Sequence, residues 1–253
     1  ELVVATLNIR NRADRWRERA GLLIEQFIEL QPDVIGLQEI RRPFRQGEWL
    51  RREVNRRLPP GAPPYAIVHV WKSGLRRFWE GVAVMTRLPV VSTARLDLGG
   101  GSRVAQRVGV RLPSGGVLDF VNTHLHHEQD EDALRLAQVR RIVGWLEQAE
   151  GMPRILVGDF NSEPDSSVVG AVLSTMRSAY FDAHDAEPDW TSPTLLNRRD
   201  DSQTATIDYI FVSQQVTVAD AWLDFTRAAP DDERLYASDH YGLAARILIQ
   251  PPT

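Results

Sequence analysis

Short apolar runs alternate with helix-like segments along the chain, and this alternation limits the possible fold more than any other feature. Runs such as Val34–Leu37 have the length of buried strands, whereas Trp16–Leu30 has the apolar spacing of an amphipathic helix. The Gln31-Pro32 pair ends that helix, because proline disfavours a helical conformation in the residue before it. Further helices are predicted at Gly47–Leu58, Asp132–Glu147 and Ser167–Met176, and strands at Leu2–Ile9, Val34–Leu37, Tyr65–Val70, Gly81–Thr86, Val104–Leu112, Val117–Asn122, Ile155–Gly158, Ile207–Val212 and Leu243–Ile249.

The connections between these segments indicate that the sheets are not purely parallel. The turn Pro113–Gly116 joins two strand-like runs directly, as in a hairpin, so part of the sheet structure is antiparallel. No linker rich in proline, glycine or serine divides the chain, and we therefore expect one catalytic domain over residues 1–253. Three irregular stretches, Pro59–Pro64, Trp71–Trp79 and Tyr180–Thr206, are expected to form the rim of a site.

The absence of cysteine narrows the possible chemistry. Without cysteine the chain has no disulfide framework and no thiolate nucleophile, and a bound metal must be held by oxygen or imidazole. No apolar stretch approaches the roughly 18 residues that span a bilayer. We therefore expect no stable membrane insertion. We also expect a cytoplasmic location and a monomeric protein. Because the sequence begins at Glu1 and not at methionine, export stays open.

Positive charge is concentrated in the first part of the chain, although the net charge is −4. Residues 1–111 carry 20 basic and 11 acidic side chains, and residues 112–253 carry 10 and 23. A cluster of arginines around the predicted second helix is either a surface for nucleic acid or a solvated helix face, and charge runs are more often the latter. The cluster consists of Arg41, Arg42, Arg45, Arg51, Arg52, Arg56 and Arg57.

Six short segments place polar or ionisable side chains at the end of an apolar strand. They are TLNIR at 6–10, LQEI at 37–40, VNTHLHH at 121–127, VGDFNSEP at 157–164, TIDYIF at 206–211 and SDHYG at 238–242. Strand ends hold side chains rigidly and still present them to a cleft. The segments supply Asn8, Glu39, His124, Asp159, Asn161, Asp208, Asp239 and His240.

This set of side chains suits the hydrolysis of phosphate esters. Carboxylate and amide oxygens are ligands for Mg²⁺ or Mn²⁺, and a histidine held by a carboxylate can transfer a proton or stabilise charge. The sequence has no glycine-rich nucleotide-phosphate loop, no GxSxG nucleophile and no HExxH zinc site. The classes of protein that depend on those motifs are therefore disfavoured.

In order and spacing, the six segments resemble the endonuclease/exonuclease/phosphatase family. Its metal-dependent phosphodiesterases include abasic-site endonucleases, deoxyribonucleases, neutral sphingomyelinases and deadenylases. The resemblance extends from Asn8 to His240. It implies an α/β fold, a four-layer α/β/β/α sandwich of two mixed sheets.

The resemblance also implies roles for the residues of the first motifs. Glu39 in LQEI is similar to the main ligand of a Mg²⁺ or Mn²⁺ ion, with Asn8 and Asp239 close to that ion. Asp159 and Asn161 in GDFN are similar to the pair that orients or deprotonates the attacking water and binds a phosphate oxygen.

The two histidines are implied to face the phosphate. His124 in NTHL is similar to a residue that stabilises a phosphate oxygen, and His240 in SDH is similar to a histidine whose carboxylate partner is Asp208. Whether Asp159, His240 or a metal-bound hydroxide acts as the base stays open at this point.

Several neighbouring residues have two interpretations. Arg103 and Arg107 reach a phosphate or lie on the surface, and Glu80 resembles a residue beside the site in the same family. His126 and His127 are expected to cap or solvate a loop, with metal binding as the alternative. Trp71, Trp79 and Trp190 lie in rim segments, where an aromatic ring stacks on a base or inserts among lipids.

The sequence therefore predicts a divalent-metal-dependent hydrolase of phosphate esters, and a phosphodiesterase in particular. Its substrate is expected to be nucleic acid or a lipid or small phosphodiester. Ile40-Arg41-Arg42 follows Glu39 where abasic-site endonucleases carry a lysine, which disfavours that subclass. The alternative is a non-catalytic module that binds a phosphate-bearing ligand on the same fold.

Overall fold

Two mixed six-stranded sheets stack face to face in the computed structural model, which describes residues 1–128, 130–148 and 151–249. The first sheet has the order β11-β12-β1-β2-β4-β3, and the second has the order β5-β6-β7-β8-β10-β9. The strands of the first sheet are β1 (Leu2–Asn8), β2 (Val34–Arg41), β3 (Ala66–Trp71), β4 (Glu80–Thr86), β11 (Val216–Asp224) and β12 (Gly242–Ile249). Those of the second sheet are β5 (Val90–Asp97), β6 (Val104–Arg111), β7 (Val117–His124), β8 (Arg154–Asp159), β9 (Arg177–Ser178) and β10 (Asp208–Val212).

In the part of the chain that the structure describes, four helices cover the outer faces of the two sheets, and a fifth contacts β11 of the first sheet and β10 of the second. The helices are α1 (Trp16–Leu30), α2 (Gln46–Arg57), α3 (Asp132–Glu147), α4 (Ser167–Leu173) and α5 (Ala179–His184). The first two pack on the first sheet, and α3 and α4 pack on the second. The expected four-layer α/β/β/α sandwich of two mixed sheets is confirmed. Within the described residues, no helix has the length and apolar character needed to cross a membrane.

Three apolar cores lie between these layers. Val34 and Phe120 belong to the central core between the sheets, and neither side chain is accessible to solvent. Phe27 of α1 and Ile142 of α3 are equally buried and belong to the two outer cores. Burial of one such side chain contributes about 1.5–3 kcal/mol, so each layer is held by the apolar face of its helices and strands.

A buried polar network crosses the central core. The Asn122 amide of β7 donates to the carbonyl oxygens of Leu37 at 3.1 Å and Ala83 at 2.9 Å, both in the first sheet. Gln38 of β2 donates to Asn122 Oδ1 at 2.7 Å and to Thr6 Oγ1 at 3.0 Å. Buried polar groups are costly unless they are hydrogen-bonded, so this network fixes how the sheets meet near their polar strand ends.

The hairpin at Pro113–Gly116 and the helix stop at Gln31 agree with the predictions, because β6 and β7 are antiparallel and Gln31 caps α1 in the left-handed conformation. The structure extends β2 from Leu37 to Arg41 and ends α4 at Leu173 instead of Met176. It also adds β5, β9 and β11, which the sequence did not predict, and places α5 across the start of the stretch expected to be irregular from Tyr180. Most of β5 is exposed, so this edge strand lacks the apolar pattern of a buried strand.

Candidate active site

The strand ends of the two sheets bring the predicted site residues to one edge of the sandwich. Asn8 ends β1, which runs parallel to β2 and lies beside the part of β2 that carries Glu39. His124 ends β7 and is paired in register with Asp159, which ends the parallel strand β8. Asp208 begins the antiparallel strand β10 and also pairs with Asp159. Residues far apart in the sequence therefore share one cleft.

The end of β8 needs a glycine to reach this position. Gly158 has φ +146°, and a Cβ atom built there would lie 2.1 Å from the carbonyl oxygen of Thr123 on β7. A side chain at this position would separate the two strands. The approach of β8 to β7 therefore depends on glycine immediately before Asp159.

Asp159 is the side chain on which the other groups converge. Its Oδ2 atom accepts a hydrogen bond from the Asn8 amide at 2.9 Å and lies 3.5 Å from His124 Nε2 and 3.9 Å from His240 Nε2. Its Oδ1 atom accepts from the backbone N–H of Asn161 at 3.0 Å. Burial raises the pKa of the Asp159 carboxyl and Asp208 raises it further, whereas the charge of His240 and the hydrogen bonds lower it only in part.

His240 is held by a carboxylate behind its ring. Its Nδ1 atom lies 2.8 Å from Asp208 Oδ2, which also accepts a 2.7 Å hydrogen bond from the Thr191 hydroxyl. Burial alone lowers the pKa of His240, but the attraction of Asp208, Asp239 and Asp159 outweighs it and raises the pKa to about 10. The ring is therefore an imidazolium at neutral pH, with Nε2 directed towards Asp159.

His124 has the opposite electrostatic environment. Burial lowers its pKa well below the usual value, and the neighbouring cations Arg103 and Lys72 lower it further. Its Nδ1 atom has no hydrogen-bond partner among the described residues. The ring is neutral at physiological pH, although Asp159 is close to it. The site thus holds one charged and one neutral histidine close to the same carboxylate oxygen.

Glu39 lies on an irregularity of β2 that directs its carboxylate into the cleft. The register between β2 and β4 shifts between Leu37 and Ile40. Glu39 has a φ of +59°, a backbone conformation that is uncommon for residues other than glycine. Its Oε2 atom accepts from the Asn11 amide at 2.8 Å, and its Oε1 atom lies 3.4 Å from the Asn8 amide nitrogen. Such strain is characteristic of functional positions.

Asp239 joins this cleft from the segment that precedes β12. Its carboxylate lies 3.2 Å from Arg10 Nε and accepts a hydrogen bond from the Asn197 amide at 3.1 Å. The hydroxyl of the preceding residue, Ser238, donates to the carbonyl oxygen of Asn8 at 2.6 Å. This bond fastens the SDH segment to the end of β1, so Asp239 and Asn8 are fixed relative to each other.

Comparison with known proteins identifies the family of this chain. Residues 5–240 match the model of the Endonuclease/Exonuclease/phosphatase family. The chain belongs to this family. Nocturnin from Xenopus laevis is 26% identical over 257 residues, which cover 90% of this chain and 64% of that protein. The chain thus spans less than two thirds of the length of that relative.

Solved structures of the family share the fold. The human Nocturnin catalytic domain with a bound sulfate anion superposes with a TM-score of 0.79 and 24% identity, with 98% of this chain and 93% of that chain covered. D. rerio TDP2 in complex with a single-strand DNA product gives a TM-score of 0.78 and 18% identity, with 98% of each chain covered. At these identities the likeness shows the endonuclease/exonuclease/phosphatase fold alone.

The donors around Glu39 fit the divalent ion that is typical of the family. Burial raises the pKa of the Glu39 carboxyl, and the nearby carboxylates of Glu80 and Asp239 raise it further. A bound cation would relieve this repulsion, and carboxylate oxygens are the ligands that Mg²⁺ and Mn²⁺ prefer. Asn8 Oδ1 accepts from the backbone N–H of Arg10 at 2.9 Å, so the Asn8 amide here presents N–H groups to the carboxylates. A direct bond from Asn8 to an ion stays a prediction.

Asn161, predicted to handle the water or phosphate, shapes the turn after β8. It has a φ of +48°, a conformation that asparagine tolerates better than most residues. Its side-chain amide donates to the carbonyl oxygen of Leu125 at 3.3 Å. The contacts of Asn161 fix the loop beside Asp159, and its role at a phosphate stays a prediction.

Two cations beside His124 extend the family motifs. Lys72 contacts Glu80, its charge is attracted to that of Glu39, and it lowers the pKa of His124. Arg103 is buried, with Nη2 2.9 Å from His127 Nδ1. Lys72 is the chain's single lysine, but only the fold shows that it faces the site. The sequence marked Arg103 as a candidate for phosphate contact, whereas no motif of the site includes Lys72.

Arg107 does not join this cluster. Its guanidinium is paired with the buried carboxylate of Asp119 at 2.6 Å and lies over the ring of Trp145. The interpretation in which Arg107 contacts a phosphate is therefore disfavoured, because its charge is already compensated within the second sheet.

Arg19 is a buried residue whose role beside the site the sequence did not predict. Its side chain is fully buried, and its guanidinium makes seven hydrogen bonds to main-chain carbonyl oxygens. The acceptors belong to Ile9, Arg10, Asn11, Ala13, Asp14 and Ala237. The loop after β1 and the residue before the SDH motif are thereby held together, so Arg19 positions the residues that contact Glu39 and Asp239.

The arginine cluster of the sequence divides into two groups. Arg56 and Arg57 are paired with Glu53 at 2.7 and 2.6 Å and lie on the solvated face of α2. Arg41, close to the site, lies over the ring of Trp79 at 5.6 Å, and the Trp79 side chain is 56% exposed. Arg41 thus combines positive charge with an exposed aromatic ring, whereas the charges of Arg56 and Arg57 are compensated by Glu53.

Proposed function

We propose that the chain is a divalent-metal-dependent phosphodiesterase that cleaves single-stranded nucleic acid. The observation that carries the chemistry is the convergence of Asn8, His124 and His240 on Asp159 Oδ2. One carboxylate with a raised pKa thus lies close to a neutral and a charged histidine. This arrangement can accept a proton from water and stabilise negative charge on a phosphate within one cleft.

The ion would be held by Glu39 and Asp239, with Asn8 beside it. When bound, a divalent ion neutralises phosphate charge and polarises the phosphorus–oxygen bond. The carboxylates of this group and of Glu80 repel one another, and that repulsion supports a cation at this place. Mg²⁺ or Mn²⁺ suits an oxygen-rich set of ligands.

The protein side chains would divide the proton and charge transfers. Asp159 accepts a proton from the attacking water while the new oxygen–phosphorus bond forms and the bond to the leaving oxygen breaks. A raised pKa makes this carboxylate a stronger base than an ordinary aspartate. His240 is already protonated and is suited to stabilise charge, which favours Asp159 over His240 as the base. The neutral His124 donates one hydrogen bond to a phosphate oxygen.

The surface beside Glu39 supports nucleic acid as the substrate. The guanidinium of Arg12 lies 4.1 Å from the ring centroid of Phe44, and that of Arg42 lies 5.3 Å from the ring centroid of Trp71. A groove of about 470 Å³ continues from there and is lined by Arg42, Trp71, Lys72, Arg95 and Asp97 among other residues. Positive charge interleaved with aromatic faces binds phosphates and stacked bases of a single strand.

Two relatives support this choice of substrate class. D. rerio TDP2 is described with a single-strand DNA product, and the human Nocturnin catalytic domain with a sulfate anion, which resembles phosphate in shape and charge. This chain shares their fold, and we transfer the substrate class as part of the proposal.

A lipid phosphodiester is the second candidate, and one specific observation favours it. Leu75, Phe78 and Trp79 are exposed together beside the groove, and Leu75 is 83% exposed. Exposed apolar side chains near a phosphate site can enter the interfacial region of a membrane. Net negative charge disfavours anionic membranes but not a zwitterionic headgroup.

One parallel assay separates these substrates. We would measure hydrolysis of short single-stranded RNA and DNA, plasmid, an abasic oligonucleotide, sphingomyelin vesicles and bis(p-nitrophenyl) phosphate, each with Mg²⁺ or Mn²⁺. The proposal predicts the highest kcat/KM on a single strand. The variant Trp79→Ala should raise KM for the single strand. It should leave the KM for bis(p-nitrophenyl) phosphate unchanged, since this small substrate does not reach the rim.

The matched control for the rim is Trp145→Ala, because Trp145 lies over Arg107 on the second sheet, away from this surface. Faster hydrolysis of sphingomyelin than of any oligonucleotide would transfer the proposal to the lipid. Binding of oligonucleotides without hydrolysis of any substrate, in either ion, would indicate the non-catalytic module.

A further inference from the structure

A second group of metal-ligating side chains lies outside the active site, on the loop that follows β7. The group consists of His126, Glu128 and Glu131, whose nearest ligand atoms all lie within 4.8 Å of one another. His126 Nε2 lies 2.7 Å from Glu131 Oε2 and 4.0 Å from Glu128 Oε2. The two carboxylates are exposed, whereas the histidine is only 6% exposed.

His126 is buried with both ring nitrogens unsatisfied. Among the described residues, neither Nδ1 nor Nε2 takes part in a hydrogen bond, because the close contact with Glu131 lacks hydrogen-bonding geometry. A Cβ atom at Gly101 would lie 2.3 Å from Nδ1, so this nitrogen faces backbone and Nε2 faces the carboxylates. A buried polar nitrogen without a partner is costly, and the direction of Nε2 indicates where the missing partner lies.

The backbone around the histidine is already fixed. The N–H of His126 donates to the side chain of Gln138 at 3.0 Å, and Arg135 on α3 donates to the carbonyl oxygens of His126 and Glu128. Ligand capture would therefore require rotation of two exposed glutamate side chains only. Preorganised ligands of this kind reduce the entropy that binding costs.

We propose that His126, Glu128 and Glu131 bind a second divalent ion, of the zinc type, with one position open to water. Three ligands at about 2.1 Å in tetrahedral geometry lie about 3.4 Å from one another. The observed distances from His126 Nε2 to the two carboxylate oxygens, 2.7 and 4.0 Å, lie on either side of that value, so each of them changes by about 0.7 Å or less. Side-chain rotation of an exposed glutamate covers this distance without a change of backbone.

The ligand set distinguishes this ion from the one at Glu39. Imidazole and carboxylate groups are both ligands of Zn²⁺ and of the similar ion Co²⁺, whereas the oxygen-rich set at Glu39 suits Mg²⁺. The bound ion would tie the loop after His124 to the start of α3. His127, the next residue, contacts Arg103, so the ion would stabilise the side of the active site that carries this cation.

Cobalt substitution tests the proposal without reference to activity. EDTA-treated protein is dialysed against Co²⁺ in excess Mg²⁺, and the visible absorption of four-coordinate Co²⁺ is recorded, together with Zn²⁺ stoichiometry by equilibrium dialysis. Wild-type protein should show the absorption, and His126→Gln should lose it with about one equivalent of Zn²⁺. Glu131→Gln should weaken Zn²⁺ affinity by about 10-fold or more, because it removes an anionic ligand.

Two controls identify the site. Glu147→Gln removes a charge from the far end of α3 and should leave the absorption unchanged. Glu39→Gln should also leave it unchanged, because the proposed ion does not use the active-site carboxylates. If His126→Gln does not fold, the exposed Glu131→Gln decides alone. Equal Zn²⁺ stoichiometry and equal Co²⁺ spectra in the wild type and the variants that fold would overturn the proposal and leave an ion pair between His126 and Glu131.

Discussion

Replacement of Arg19 by methionine tests whether one buried guanidinium organises the site. Methionine keeps most of the apolar volume but removes seven hydrogen bonds to six carbonyl groups. A hydrogen bond to a charged group contributes about 1.5–3 kcal/mol, but these terms do not add fully, because carbonyls of the exposed loop regain water. We expect a loss of about 3–5 kcal/mol in the free energy of unfolding, as for other broken buried charge networks.

The loss should appear in both stability and turnover. For a chain of this size each kcal/mol lowers Tm by about 2–4 °C, so Arg19→Met should melt about 6–20 °C below the wild type. Displacement of the loop that carries Arg10 and Asn11 should lower kcat by about 10²-fold even where the variant is folded. Calorimetry and turnover at low temperature measure the two effects. The exposed Arg17→Met is the control, with an expected change within about 0.5 kcal/mol. A loss below 1 kcal/mol with unchanged kcat would refute the reasoning.

Three further predictions concern the histidine pair, pH and the rim. Asp208→Asn should lower turnover by about 10²-fold, and His240→Ala added to it should cost little more, because the two act as one unit; multiplicative losses in this double-mutant cycle would separate them. In EDTA, Tm should fall as the pH rises from about 7 to 10. Because the pKa of His240 is raised to about 10, its contribution to stability is complete below about pH 6.5 and is lost as the pH rises through about 10. Asp208→Asn should flatten this pH dependence in thermal melts. Affinity for single-stranded RNA should fall with salt at a log–log slope of about −0.7 per contacted phosphate; Arg41→Gln should make the slope shallower, whereas Arg57→Gln, paired with Glu53, should not.

The site could be predicted from the sequence where its residues end strands. Asp159 follows an apolar run and Asn8 ends another, so the polarity change itself marks the strand end. The family resemblance then supplied the roles that chemistry alone left open. The same signal failed for β5, whose residues are mostly exposed and therefore carry no apolar pattern.

Other features depend on contacts between distant residues, which no local pattern contains. The buried position of Arg19 arises because Ala237 and the loop after β1 meet around it. Lys72 faces His124 only because two sheets pack together. The left-handed conformation of Glu39 results from the shifted pairing of β2 with β4. Such long-range geometry requires the folded chain.

The central claim is that hydrolysis of a phosphate diester depends on a divalent ion at Glu39. The most direct test measures the rate on bis(p-nitrophenyl) phosphate in excess EDTA and across a Mg²⁺ or Mn²⁺ titration, for the wild type and Glu39→Gln. We predict no activity in EDTA, recovery with the ion, and a variant that folds but needs more metal and turns over more slowly, since an amide lacks the anionic oxygen. Full activity of the wild type in EDTA, or an unchanged metal titration and rate in Glu39→Gln, would contradict the account.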